Sequence, residues 1–300
     1  MILKQDGTVW TTGTDGYGQL GDGSTTARES FERVISGHAK AVAAGATHSL
    51  VVVKDGILWA TGFNQYGQLG DGSTIPRNEF VRVIPGGVET VAAGSDHSMM
   101  LKQDGSVWTT GSNWSGQLGH GSAGLASSFV QVMPSGGKAI TAGSSHSMVL
   151  GKDGSVWVTG ENNCGQLGDG TMTGRSSFVQ VFVGDAEAIA AGYDHSLVLK
   201  EDGSVWATGK NDFGQLGAGE MTSSSTFVRV IASGVQAVAA GDWYSMALKR
   251  DGSLWGTGSN VYGQLADGST IGKDTFDRVA LSPDGAWYGG WVCIICSNKS

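Results

Sequence analysis

Apolar residues in this chain fall in short runs closed off by glycine-centred turns. Residues 89–93 form a run of small side chains, the Gly94-Ser95-Asp96 corner follows, and 97–102 is apolar through its middle. Runs of this length bounded by Gly and Asp predict β-strands. Asp104-Gly105 then predicts a two-residue hairpin, because Gly accepts the positive φ that a type I′ turn requires. Residues 106–110 read as a third strand and, beyond a Gly-Gln-Leu-Gly loop, 129–132 as a fourth. The second strand is nearly continuously apolar, as in Met148-Val149-Leu150, which predicts cover on both of its faces.

The pattern repeats. Asp-Gly recurs from Asp6 to Asp251 in steps of 49 residues, and Trp10, Trp59, Trp108, Trp157, Trp206 and Trp255 keep the same step. Gly-Gln-Leu begins at Gly18, Gly67, Gly116, Gly165, Gly214 and Gly263, without insertion or deletion between copies. A four-stranded unit buried on both faces needs a neighbour on each side, and six in a ring supply that. The expected fold is all-β: a single β-propeller of six four-stranded blades, with room for a seventh in a longer native chain. Residues 1–290 are expected to form the propeller and 291–300 a diverged tail. The chain begins at the second strand of a blade, and 286–290 aligns with 237–241, so that segment is expected to supply the missing strand as a closure clasp.

Composition narrows the class. Of 300 residues, 50 are Gly and only 4 are Pro, which argues against helical bundles and against collagen. An apolar fraction of 40% with ten Trp argues against disorder. The net charge of −8 argues against nucleic acid or an anionic membrane as the main partner. No apolar run approaches the ~18 residues of a membrane span, and the N-terminus lacks a basic-then-apolar leader. Three cysteines are no disulfide framework. The expectation is a soluble, cytoplasmic chain.

The segments Ala-Ala-Gly-Ser-Asp-His-Ser (92–98) and Asp104 to Gly119, with their copies, resemble the regulator-of-chromosome-condensation repeat family over about residues 1–282. The resemblance implies a bladed propeller. The family's founding member has seven blades, is a nucleotide-exchange factor for the small GTPase Ran and docks on nucleosomes. Its exchange activity depends on an inserted β-wedge, and the constant 49-residue step leaves no insertion here. In the plant ultraviolet-B photoreceptor, another relative, a Trp cluster follows a Gly-Trp-Arg-His-Thr pattern. The matching positions here are Ala46, Ser95, Ser144, Tyr193, Asp242 and Trp291. Bacterial relatives inhibit β-lactamases through an aromatic-rich face.

Candidate chemistry outside the repeat is sparse. His48, His97, His146 and His195 recur with Tyr244 in the fifth place, each beside a Gly corner where it can bond local backbone. Copies in separate blades would not converge on one metal ion. Cys293 and Cys296 have half-site spacing without a second pair, so strand packing is expected. Asp22, Asp71, Asp169 and Asp267 share one register, which predicts one local turn bond made repeatedly. The six repeated Trp are expected as core anchors between blades. No nucleophile, base and orienting group stand together, so no enzyme, no cofactor and no metal site are expected.

Function then rests on what the copies do not share. Successive connections in an antiparallel blade alternate between its two ends. The corner after the first strand and the long loop after the third therefore share one face, opposite the Asp-Gly hairpins. On that variable face fall Tyr17, Tyr66, Trp114, Tyr193, Phe213, Trp243 and Tyr262, with Arg28, Arg77, Arg175 and Lys273, and with Asp96, Asp194, Asp212 and Asp242 as acidic contrast. Aromatics and Arg are enriched in protein-binding hot spots. The expected function is a non-enzymatic protein-interaction scaffold whose partner is a protein. Two alternatives stand beside it: exchange factor for a small GTPase, and proteinaceous enzyme inhibitor.

Overall fold

The computed structural model describes residues 1–122 and 124–279. These form five four-stranded antiparallel sheets and one three-stranded sheet, each built from strands consecutive in the chain. The second sheet comprises Ala39–Ala44, His48–Val53, Leu58–Gly62 and Arg77–Ile84, and the third comprises Val88–Ala93, His97–Lys102, Val107–Gly111 and Ala126–Met133. The three-stranded sheet, Ile2–Leu3, Val9–Gly13 and Arg28–Ile35, begins at the second strand of a blade, as the register predicts. The clasp assigned to 286–290, the boundary at 290 and the Cys293-Cys296 pair lie outside the described residues. Among the described residues no helix is long and apolar enough to cross a membrane.

Two compact units emerge. One holds Met1–Glu161 with Thr173–Gly184, and the other holds Asn162–Met172 with the described residues from Asp185 onward. In the first unit, the strand His48–Val53 is covered on both faces, and Leu50, Val52, Leu58, Ala60 and Leu69 share a core with Val88, Val91, Met100 and Phe129 of the next sheet. In the second unit, Leu199 and Val205 pack with Val235, Ala247 and Phe276 of the following sheet. Each Val, Leu, Met or Phe side chain among them taken fully out of water stabilises the fold by about 1.5–3 kcal/mol. The core is thus a series of seams, and a lone blade would leave both of its faces wet.

Glycines set the seam spacing. Gly70 has φ +72°, and a Cβ there would stand 2.5 Å from Cε2 of Phe129 in the next repeat. Gly21 against Phe80 and Gly119 against Phe178 repeat the arrangement. The last Gly of Gly-Gln-Leu-Gly is therefore the floor on which the following repeat's phenylalanine lies.

One sequence expectation needs correction here. The Asp-Gly hairpins are not two-residue type I′ turns. Gly105 has φ +82° but Asp104 is not in the left-handed region, and the Gly105 N–H donates to Lys102 O at 2.9 Å while the Lys102 N–H donates to Ser106 O at 2.9 Å. That is a type I turn closed by a left-handed Gly, the three-residue hairpin loop. Asp104 instead accepts the Ser106 N–H at 2.8 Å. The repeated Trp are half-buried and anchor the core, as expected. The indole Nε1 of Trp108 donates to Ser106 Oγ at 2.9 Å, and Lys102 Nζ lies 4.3 Å from its ring centroid. Trp108 packs on the core between two sheets, and a lysine roofs its outer face.

Candidate functional site

Each long loop after the first is organised by one asparagine. Asn64, fully buried, accepts the Leu69 N–H at 3.0 Å on Oδ1 and donates from Nδ2 to Asp71 Oδ1, Ser73 O and Ile75 O, each at 3.1 Å. Asn260 makes the same set with Leu265, Asp267, Ser269 and Ile271. In the first repeat Asp15 stands at this position, 1% exposed, accepting the Leu20 N–H at 2.9 Å. Burial pushes its carboxyl above the ordinary range, and the Asp22 charge adds to that. The register of Asp22 and Asp71 makes local turns, as expected: the Ser24 and Ser73 N–H groups donate to them at 2.9 Å.

The loops are then fixed to the next repeat. Ser98 Oγ donates to Gln68 O at 2.7 Å, and Thr110 Oγ1 donates to Gly67 O at 2.9 Å. His48 Nε2 lies 2.8 Å from Ser98 Oγ, and His97 Nε2 lies 2.9 Å from Ser147 Oγ. Since the Ser98 hydroxyl gives its only proton to Gln68, His48 must donate from Nε2. The expectation of a bond to local backbone is corrected: each of these His reaches a Ser of the following repeat. The imidazole lies against the corner glycine, where a Cβ on Gly45 or Gly94 would collide with the ring. Burial drives the His48 pKa to about 4 and that of His97 to about 3. These rings are neutral struts. Among the described residues no three His, Cys, Asp or Glu side chains meet to hold a metal ion.

Corner and long loop meet at one end of the blade. The Ser112 N–H donates to Asp96 O, the Lys210 N–H to Asp194 O and the Ser259 N–H to Trp243 O, all at 2.8 Å. The hairpins meet the connections between blades at the other end, where the Val88 N–H donates to Gly56 O at 3.0 Å. On the loop end of the first unit, Trp114 is 74% exposed and Tyr17 is 49% exposed. Tyr66 is half-buried and packs edge-on against Phe63 at 5.8 Å, while Tyr17 meets the same ring at 4.8 Å. Phe63 joins a group that the sequence face omitted; its signal is its place one residue after the Thr-Gly pair.

On the second unit, Tyr193, Phe213 and Trp243 come together. Trp243 lies 6.4 Å from Tyr193 and 5.5 Å from Phe213 between ring centroids, and Tyr262 is 83% exposed. The backbone N–H of Phe213 donates to Gln215 Oε1 at 3.0 Å, as that of Tyr66 does to Gln68 Oε1 at 3.1 Å. The motif's Gln thus fixes the backbone two positions before it.

The basic residues are placed differently. The Arg28 guanidinium lies 2.6 Å from Asp22, and that of Arg77 lies 2.7 Å from Asp71. Arg175 opens the strand Arg175–Val183 in the same register, and Lys273 lies 3.6 Å from Asp267. Burial raises the Asp71 carboxyl, but the Ser73 hydroxyl, the Arg77 guanidinium, the Ser73 N–H and the Asn64 amide outweigh it and hold its pKa below the ordinary value. Arg28 and Arg77 brace the loops from which the aromatics project.

The fold is shared with solved structures. Human WBSCR16 matches with TM-score 0.78 and 21% identity, over 90% of this chain and 78% of its own. Prp20p of Saccharomyces cerevisiae matches with TM-score 0.78 and 21% identity over 93% of this chain and 74% of its own; that structure was described with its binding to Gsp1p and histones. Yeast RCC1 (Prp20) bound to Kap60 matches with TM-score 0.79 and 20% identity, over 93% of this chain and 72% of its own. No curated protein matches the chain. The family model of the regulator of chromosome condensation (RCC1) repeat matches residues 6–52, 55–101, 153–199 and 202–248, and a second model of the same repeat matches 39–68, 88–117, 138–166, 187–215 and 235–264. The matched stretches cover more than half of the sequence and carry the corner glycines, the His-Ser struts and the Gly-Gln-Leu loops, so the chain belongs to the regulator of chromosome condensation (RCC1) repeat family.

Proposed function

We propose that this chain is a non-enzymatic protein-binding module that engages its partner through the loop end of its blades. The observation that carries this reading is the set of large aromatic side chains held outward on braced loops. Trp114 and Tyr262 are 74% and 83% exposed although both sit beside well-bonded backbone. Exposed aromatic groups on a rigid frame mark interaction surfaces, since ordering costs little when they dock. The likeness to Prp20p, described as binding Gsp1p and histones, supports a protein partner. It also favours a second reading, regulation of a small GTPase.

Affinity capture from the source lysate tests the first reading. The native chain and a loop-end variant, Trp114→Ala with Trp243→Ala, are compared with a hairpin-end variant, Arg250→Ala. The reading expects partners lost only by the loop-end variant. Equal capture by all three would overturn it. The second reading expects substoichiometric chain to speed guanine-nucleotide release from a captured GTPase, whereas an inhibitor would bind stoichiometrically without turnover.

A further inference from the structure

We infer that the Tyr193, Phe213 and Trp243 group receives an arginine side chain from a basic segment of the partner. The inference rests on the protein-binding reading above and names the chemistry of what this end takes. Three rings from two corners and one long loop lie together, with Trp243 in the middle, tilted 50° to Tyr193 and 37° to Phe213. They are 42%, 42% and 37% exposed in the order named, so part of each ring is open. Each ring has an aspartate beside it in the chain: Asp194 follows Tyr193, Asp212 precedes Phe213 and Asp242 precedes Trp243. Backbone bonds hold the group in place, with the Tyr193 N–H donating to Asp242 O at 3.2 Å and the Lys210 N–H to Asp194 O at 2.8 Å.

Ring faces carry negative potential, and a cation within about 6 Å of a centroid is attracted to them. An apolar occupant would answer neither the potential of the ring faces nor the negative charge that Asp212 and Asp242 bring to this end. A guanidinium satisfies both demands, because its plane stacks on a ring while its edge donates to carboxylate oxygens. Lys210 Nζ stands 3.6 Å from Asp212. The first unit supplies an internal contrast. Tyr17, Phe63 and Tyr66 also form a chain of ring contacts, but their immediate neighbours are Gly16, Gly18, Gly62, Asn64, Gln65 and Gly67, with no carboxylate among them. Aromatic clustering alone occurs in both units, and aspartates flank only the group in the second.

The test is titration of the full chain with a Gly-Arg repeat peptide and with the same peptide carrying citrulline, which keeps the shape and removes the charge. The inference expects the Arg peptide to bind at least about tenfold more tightly than the citrulline peptide, and less tightly as salt rises. Trp243→Leu and the pair Asp212→Asn with Asp242→Asn should each weaken it at least about tenfold. Trp243→Phe should retain most of the affinity, and Tyr17→Leu should change nothing. Melting midpoints of the variants separate lost binding from lost folding. Equal affinity for the two peptides, no binding of either, or equal effects of Tyr17→Leu and Trp243→Leu would overturn the inference. If the Arg peptide fails while loop-end variants still lose the partner in the capture experiment, the arginine assignment falls and the protein-binding reading stands. If both fail, both fall.

Discussion

His48 of one blade and Ser98 of the next are bonded across their seam, Nε2 to Oγ at 2.8 Å and fifty positions apart in the chain. The Ser98 hydroxyl passes the connection on to Gln68 O at 2.7 Å, so a strand start, a neighbouring strand and a long loop are tied through one buried hydroxyl. The loop end is rigid because its backbone is bonded to the blade that follows. Aromatic side chains can stand out from it at little further entropic cost.

That strut makes stability depend on acid. The folded pKa of His48 is about 4, lowered by burial from 6.5, so its contribution is complete above pH 6.5 and is lost as pH falls towards 4. The full loss is about 3 kcal/mol for this one ring, at about 1.4 kcal/mol per pH unit. His97 and His146 behave in the same sense. Urea midpoints should fall steeply between pH 7 and pH 4.5, and Ser98→Ala should cost about 1–3 kcal/mol at pH 7 by leaving the His48 N–H without its acceptor. A flat profile between these pH values would contradict the neutral-strut assignment.

Asp15 runs the opposite way. Its carboxyl stands where the other repeats have an amide, and burial raises its pKa. Its contribution to stability is therefore present below the ordinary carboxylate value and lost as pH rises. Asp15→Asn should restore the donor that Asn64 supplies in its own loop, raising stability by about 1–2 kcal/mol at pH 7 and leaving it unchanged at pH 3. Chemical denaturation at the two pH values measures the difference.

Gly70→Ala should be among the costliest single-methyl additions in the chain. The position needs φ +72°, and the new Cβ would meet the Phe129 ring at 2.5 Å. Strain of about 1–2 kcal/mol adds to displacement of a buried ring, for a total above about 2 kcal/mol. Gly87→Ala has similar φ, +78°, but nothing within 4 Å, and should cost only the backbone strain. Thermal melts of the pair separate the two terms.

Arg77 and Trp114 should divide stability from binding. Arg77 is paired with Asp71 at a partly exposed site, so Arg77→Ala should lower stability by about 0.5–1 kcal/mol. Trp114, at 74% exposure, should give up partner affinity when replaced by Ala while the melting midpoint stays within about 1 °C.

Much of the blade was legible because the repeat holds every residue to a 49-residue register. Strand Val88–Ala93 and strand His97–Lys102 lie where the apolar runs place them, and the first sheet starts one strand short, as its register requires. Periodicity reports position within a unit, however, and not which unit a side chain touches. His48 was therefore assigned to nearby backbone when its partner is one repeat away. The role of Arg77 was hidden for a different reason: its partner Asp71 lies six residues back inside the loop that the arginine braces, and a repeat register does not report which side chains within a unit pair. The outward aromatics were readable as types on a face. The contacts among Tyr193, Phe213 and Trp243 were not, because they join residues of separate corners and a long loop whose path only the fold defines.

The most direct measurement of the central claim is amide hydrogen exchange of the chain with and without a captured partner. The account predicts slowed exchange on partner addition at 112–117, 192–194, 210–216 and 241–243, the segments bearing the exposed aromatics, and no change at the Asp-Gly hairpins such as 103–106 and 250–253. Slowing confined to the hairpin end, with the loop end unchanged, would contradict it.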